Sequence, residues 1–138
     1  MTKEENQKKA QQKYMELQMF DSQLKQIQQQ VQTLENQAVE VEIIIEGLEG
    51  MKQVGSGSEI LVPLANGIFA KAKLLDSENL IVNIGSNTAV TKKVDSTKDM
   101  MTSQVLEIRA AQEQLSAQFN IVLEKARQTE VEMQELVK

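Results

Sequence analysis

Apolar residues in the first third of the chain recur at alternating steps of three and four. Leu17, Phe20, Leu24, Ile27, Val31, Leu34, Ala38, Val41, Ile45 and Leu48 keep this spacing without a break. Steps of three and four hold one stripe of side chains against a partner helix, so the segment predicts a coiled-coil helix. The last third repeats the pattern through Met101, Val105, Ile108, Gln112, Leu115, Phe119, Val122, Ala126, Thr129, Met133 and Leu136. Gln112 and Thr129 are its polar interruptions.

The two stripes match in antiparallel phase. Leu48 is set against Met101, Ile45 against Val105, Val41 against Ile108 and Leu34 against Leu115. Further along, Phe20 meets Thr129 and Leu17 meets Met133. Each step down one arm equals a step up the other, as a helix returning alongside itself requires. The alternative is that each arm pairs with another chain. At 1.5 Å per residue an arm of this length would run roughly 65 Å, with both chain ends at its far tip.

Chain breakers give the same division. The only Pro (Pro63) and four of the six Gly fall between residues 55 and 94; residues 95–138 contain neither type. The expected organisation is therefore residues 1–54 as an N-terminal coiled-coil helix, 55–94 as an insert and 95–138 as a C-terminal coiled-coil helix. Gly55-Ser56-Gly57-Ser58 reads as a flexible joint. The insert reads as four short strands. Glu59–Leu64 and Ile68–Leu74 flank Asn66-Gly67, a hairpin signal. After the loop Asp76–Asn79, Leu80–Ile84 and Thr88–Val94 flank Gly85-Ser86-Asn87. The fold class is α+β: a long antiparallel two-helix coiled coil with two β-hairpins inserted between the helices. Two small hairpins leave unpaired edges and an apolar face, and Pro63 marks an edge or a bulge. The obvious source of further strands is other subunits, and an intersubunit β-barrel would close the edges. The residues expected to form that oligomerisation platform are Ile60, Val62, Leu64, Ile68, Ala70, Leu80, Val82, Ile84 and Val90.

Composition narrows the function. There is no Cys and no His among the 138 residues, which removes thiolate chemistry, the commonest neutral-pH general base and the commonest metal ligands. Glu40, Glu42, Glu46 and Glu49 cluster on one stretch of helix without a partner that suggests a metal cage or an acid/base pair, and read as solvated helix support. The expectation is a protein that is not an enzyme and uses no cofactor or metal. A net charge of −5 argues against nucleic acid. A polar N-terminus and the absence of a long apolar run predict no signal peptide and no membrane span, hence a cytoplasmic location.

The layout, with Ile60-Leu61-Val62-Pro63-Leu64-Ala65-Asn66-Gly67-Ile68-Phe69-Ala70-Lys71-Ala72-Lys73-Leu74 and then Leu80-Ile81-Val82-Asn83-Ile84-Gly85, resembles the prefoldin family over essentially the whole chain. Two hairpins resemble its alpha class, since the beta class carries one. The resemblance implies an ATP-independent co-chaperone of two alpha and four beta subunits. In it, hairpins build a double β-barrel and coiled-coil tips hold unfolded client proteins for a group II chaperonin. Absence of a phosphate-cradling Gly-rich loop fits that expectation.

Client contact at the tips would fall to apolar residues near both chain ends: Tyr14, Met15, Leu17, Met19, Phe20, Val131, Met133, Leu136 and Val137. The tip layers are weakly paired, Phe20 facing Thr129 and Lys13 facing Leu136, and Met adapts to varied surfaces. The plainer reading is that these residues thicken the seam, above all Leu17 and Met133. Ile43, Ile44 and Met100 are expected to pack beneath the platform. Lys71, Lys73, Lys92 and Lys93 form either a basic docking patch or solvated strand faces. A structural filament or tether subunit on the same hairpin scaffold is the alternative function.

Overall fold

The computed structural model describes residues 2–137; Met1 and Lys138, which the expected arms 1–54 and 95–138 include, lie outside them. The element order is α1 (Lys3–Val54), β1 (Glu59–Ala65), β2 (Ile68–Lys73), β3 (Asn79–Gly85), β4 (Thr88–Lys93) and α2 (Val94–Leu136). The chain divides into two compact units, Met1–Gln37 with Ile108–Lys138, and Ala38–Glu107.

In the first unit α1 begins at a side-chain cap. The backbone N–H of Glu5 donates to Thr2 Oγ1 at 3.3 Å, and Glu4 and Glu5 lie in the first turn, where carboxylates suit the helix dipole. Gln-, Glu- and Lys-rich sequence without Gly or Pro favours continuation. The seam positions Ile27 and Val122 are buried, as is the polar Thr129. Leu17, Phe20, Leu24, Val31, Leu34, Leu115, Phe119, Ala126, Met133 and Leu136 are half-buried beside exposed neighbours. Two cross-arm ion pairs establish the antiparallel direction. Lys13 Nζ meets Glu132 at 2.7 Å, and Arg109 Nη1 meets Glu35 at 2.5 Å. As position rises along α1 its partner's position falls along α2, all within one chain.

The polar interruption Gln112 sits in a small cluster. Its Nε2 donates to Glu35 Oε2 at 3.0 Å and to the Val31 carbonyl at 3.3 Å. Its Oε1 accepts from Arg109 Nη1 at 2.9 Å. The Gln112 hydrogen bond, and then that of Arg109, hold the Glu35 carboxyl below its usual range. A polar layer satisfied in one alignment disfavours slipped registers of the same stripe.

In the second unit α1 stops at Gly55, which has φ +74°. Its N–H donates to the Met51 carbonyl, and a residue in this left-handed region ends a helix. The following Gly-Ser run is tied down. Ser58 Oγ donates to the Val54 carbonyl at 2.5 Å, the Ser77 N–H donates to Ser56 Oγ at 3.2 Å, and the Gly57 N–H donates to the Leu74 carbonyl at 2.6 Å. The expected flexible joint is thus a hydrogen-bonded helix stop. Lys98 pairs with Glu49, and Lys52 with Asp95 at 2.5 Å, joining the helices beside the hairpins. Val94 is the most buried large side chain.

The strands form two separate antiparallel hairpins, β1–β2 and β3–β4. They are copies of one design. Glu59 pairs with Lys73 and Val62 with Ala70; Asn79 pairs with Lys93 and Val82 with Val90. Both registers slip at the same place, between Pro63 and Ala65 and between Asn83 and Gly85, so Leu64 and Ile84 are the extra residues of two β-bulges. The turns differ. In Asn66-Gly67 only Gly67 has positive φ, whereas Ser86 and Asn87 are both left-handed, at φ 50° and 61°. Between the hairpins Asp76 accepts from the N–H groups of Glu78 and Asn79 and from Asn79 Nδ2. The Asn79 hydrogen bond leads in holding its carboxyl below the usual range.

Candidate interaction surfaces

Near the chain ends, apolar side chains exceed what the seam can cover. Tyr14, Met15, Met19, Val131 and Val137 are exposed, Met15 and Val137 at 68%. Leu17, Phe20, Met133 and Leu136 are half-buried in the seam. The nine residues expected to touch clients thus form two groups. Met15 and Met19 are one turn apart and share a face of α1, with Tyr14 beside them. Val137 lies past the end of α2. A recess lined by Lys9, Lys13, Glu132 and Leu136 brings Lys13 and Leu136 together, as the antiparallel phase requires. The Glu132 hydrogen bond raises the Lys13 pKa. Charged groups therefore cross the seam here, where an apolar layer would otherwise close it.

On the hairpins, alternation places Ile60, Val62, Ala70 and Ala72 on one face of β1–β2, and Leu80, Val82 and Val90 on one face of β3–β4. Ile60, Ala70, Leu80, Val82 and Val90 are half-buried, while Val62, Leu64, Ile68 and Ile84 remain exposed. Leu64 and Ile84 are the bulged residues, so strict alternation does not assign their side. The opposite faces also carry exposed apolar groups outside the expected platform set: Leu61, Phe69 and Ile81, the last at 81%. The signal was present in the unbroken apolar runs Ile60-Leu61-Val62 and Leu80-Ile81-Val82, which mark strands buried on both faces. Leu75, between the hairpins, is the most exposed large apolar residue, at 91%.

The four lysines grouped by sequence are divided by register. Lys71 and Lys73 share the face of Leu61 and Phe69, but Lys92 lies opposite Leu80 on the other type of face. Ile43, Ile44 and Met100, expected beneath the hairpins, are exposed in the chain. Among the described residues no three carboxylates converge to hold a metal ion, and no helix is long and apolar enough to cross a membrane.

Comparison with known proteins gives a consistent result. The Prefoldin family model, described as a prefoldin subunit, matches residues 20–138. The prefoldin subunit alpha of Methanococcus aeolicus is 25% identical, covering 92% of this chain and 86% of its own. The prefoldin subunit alpha 1 of Thermococcus kodakarensis is 31% identical, covering 75% and 70%. A solved structure, the filamentous PFD from Methanocaldococcus jannaschii determined by cryo-EM, superposes with a TM-score of 0.72 at 14% identity. It covers 86% of this chain and 98% of that one, which establishes the shared fold. Prefoldin is a family of chaperones, not of enzymes, and its subunits assemble into hetero-oligomers. With paired heptad arms, two hairpins and these matches, the chain belongs to the prefoldin family, as an alpha-class subunit.

Proposed function

We propose that this subunit captures unfolded proteins at the tips of its coiled coil and passes them to a group II chaperonin, without ATP, in the cytoplasm. It works in an assembly of two alpha-class and four beta-class subunits. Residues 55–94 supply the oligomerisation platform, a β-barrel closed by hairpins from several chains, and residues 1–54 and 95–138 supply the arm. The observation that carries the reading is the exposure of Tyr14, Met15, Met19, Val131 and Val137 outside the seam. Leu17, Phe20, Met133 and Leu136 become available as the ends fray. Unfolded clients offer scattered apolar segments, and several weak tips gain by multivalency. The platform role rests on the hairpins' open edges and on the exposed Val62, Leu64, Ile68 and Ile84.

The test removes residues 1–15 and 131–138. The complex with beta-class subunits should still assemble by size-exclusion chromatography, yet suppress client aggregation less well by light scattering. Full protection by an intact truncated complex would move the client site to partner tips or to the cavity beneath the platform.

A filament or tether subunit is the second reading, favoured by one observation: the superposable solved structure is described as filamentous. Chromatography of the chain alone and with a beta-class subunit separates the two. Growth that persists with the partner present supports the filament, whereas a closed species of fixed size supports the co-chaperone.

A further inference from the structure

Within the second unit, the back of α1 is not built like the outside of a coiled coil. Val39, Ile43, Gly47, Gly50 and Val54 all fall within roughly 40° of one line along the helix, taking 100° per residue. That line runs opposite the seam residues Val41, Ile45 and Leu48. Outward positions of a coiled coil normally carry charge. Here five successive ones carry no polar side chain. Val39, Ile43 and Val54 are exposed, Ile43 at 61%. Added Cβ atoms at Gly47 and Gly50 would meet nothing within 4 Å, so the middle of the stripe is a shallow gap between apolar knobs. Glu40 and Glu46 are exposed and border it at about 60° on either side.

The first hairpin carries the complement. One face of β1–β2 holds Leu61, Pro63 and Phe69, with Lys71, Lys73 and, opposite Lys73, the exposed Glu59. Leu61 and Phe69 are exposed at 63% and 57%. The stripe is apolar with an acidic border, and this face is apolar with a border of two lysines and one glutamate, net basic. Phe69 to Lys73 spans about 13 Å along its strand, and Val39 to Val54 about 22 Å along the helix, so the face fits within the stripe. Lys71 and Lys73 are about 7 Å apart, within side-chain reach of Glu40 and Glu46, whose backbones are about 9 Å apart. Both surfaces belong to one unit and both are exposed, so they do not cover each other within a chain.

We infer that the α1 stripe docks the Leu61–Phe69 hairpin face of a second copy of this chain. Phe69 seats over the Gly47–Gly50 gap, and Lys71 and Lys73 pair with Glu40 and Glu46. The contact uses a sheet face and a helix back. It leaves the strand edges free for barrel closure and is independent of client capture.

The chain has no native Cys, so single cysteines report the contact directly. Gly50→Cys, where an added Cβ meets nothing within 4 Å, is prepared in one sample and Phe69→Cys in another; both full-length chains are mixed, left to assemble and oxidised. The expected product is the 50–69 disulfide dimer, about ten-fold over either homodimer, where random pairing gives a two-fold excess. Glu40→Lys with Glu46→Lys in the first chain should cut that yield about five-fold. Lys71→Glu with Lys73→Glu in the second should restore it. Random or absent 50–69 linkage overturns the proposal, as does a charge reversal without effect. The proposal also fails if the Gly50→Cys chain crosslinks only after a cysteine-bearing beta-class subunit or unfolded protein is added, and then to that protein, because the stripe would belong to that occupant.

Discussion

Ala38 occupies a seam position of α1 and has no exposed surface at all. By heptad logic alone, Ala38→Leu improves the stripe. Three further buried carbons would add about 2 kcal/mol of hydrophobic stabilisation if there were space to receive them. Zero exposure at a side chain of one carbon means that neighbouring atoms already surround it. The larger side chain must then displace those atoms or adopt a strained rotamer, at a cost of about 1–3 kcal/mol after any gain from burial. The structure therefore predicts destabilisation, centred near about 2 kcal/mol. For a chain of this size roughly 3–5 °C accompanies each kcal/mol, so the melting temperature should fall by about 6–10 °C. Thermal unfolding by circular dichroism reads it, at one fixed protein concentration because assembly shifts apparent stability. Ala38→Gly serves as a control that adds no volume and should cost about 1 kcal/mol from helix propensity. A melting temperature that rises in Ala38→Leu would refute the reasoning, because it would mean the site accepts the added carbons without loss.

Ser86 and Asn87 hold a two-residue turn in the left-handed region, so Ser86→Asn with Asn87→Gly should stabilise the second hairpin by about 1 kcal/mol, read as slower amide exchange at Val82 and Val90. The folded-state pKa of Glu35 is depressed by Gln112 and then Arg109, so its contribution is present above the ordinary glutamate value and is lost as pH falls through the lower folded one. Wild type should lose more melting temperature than Glu35→Gln on acidification from about pH 4.3 downward, and parallel curves would show that the cluster does not bind the carboxylate preferentially. Met15→Gln with Met19→Gln and Val131→Gln changes exposed positions, so unfolding should stay within about 0.5 kcal/mol while client protection falls; unchanged protection argues against these side chains as contacts. Replacing residues 59–94 by a short turn should leave a helical pair that no longer assembles, and sedimentation at the parent size would put the assembly interface on the helices.

Much of the fold was legible because it follows from local periodicity. Steps of three and four from Leu17 to Leu48 and from Met101 to Leu136 mark the face a helix must bury, and the apolar residues at those positions are buried or half-buried. Alternation and turn residues placed four strands within a residue or so of their observed bounds. The antiparallel phase was readable too, since equal steps in two arms need no knowledge of side-chain geometry. The nine tip residues were legible as apolar positions near both ends, and the heptad steps already separated Leu17, Phe20, Met133 and Leu136 in the stripes from Tyr14, Met15, Met19, Val131 and Val137 outside them.

The remainder depended on which distant groups meet. Gln112 reads in sequence as an interruption; only the returning helix brings it to Glu35 and the Val31 carbonyl, more than seventy residues away in the chain. Gly55-Ser56-Gly57-Ser58 has the composition of a loose linker, yet Leu74 and Ser77 lie where they can hold it. The bulges at Leu64 and Ile84 shift the register by one residue, a choice made between paired strands and not within either. Ala38 looks like a weak seam residue and proves to be fully covered. Backbone geometry repeats along the chain, so sequence by itself determines which residues share a face. What fills the space opposite that face depends on the other segments, and that was decided by the tertiary structure.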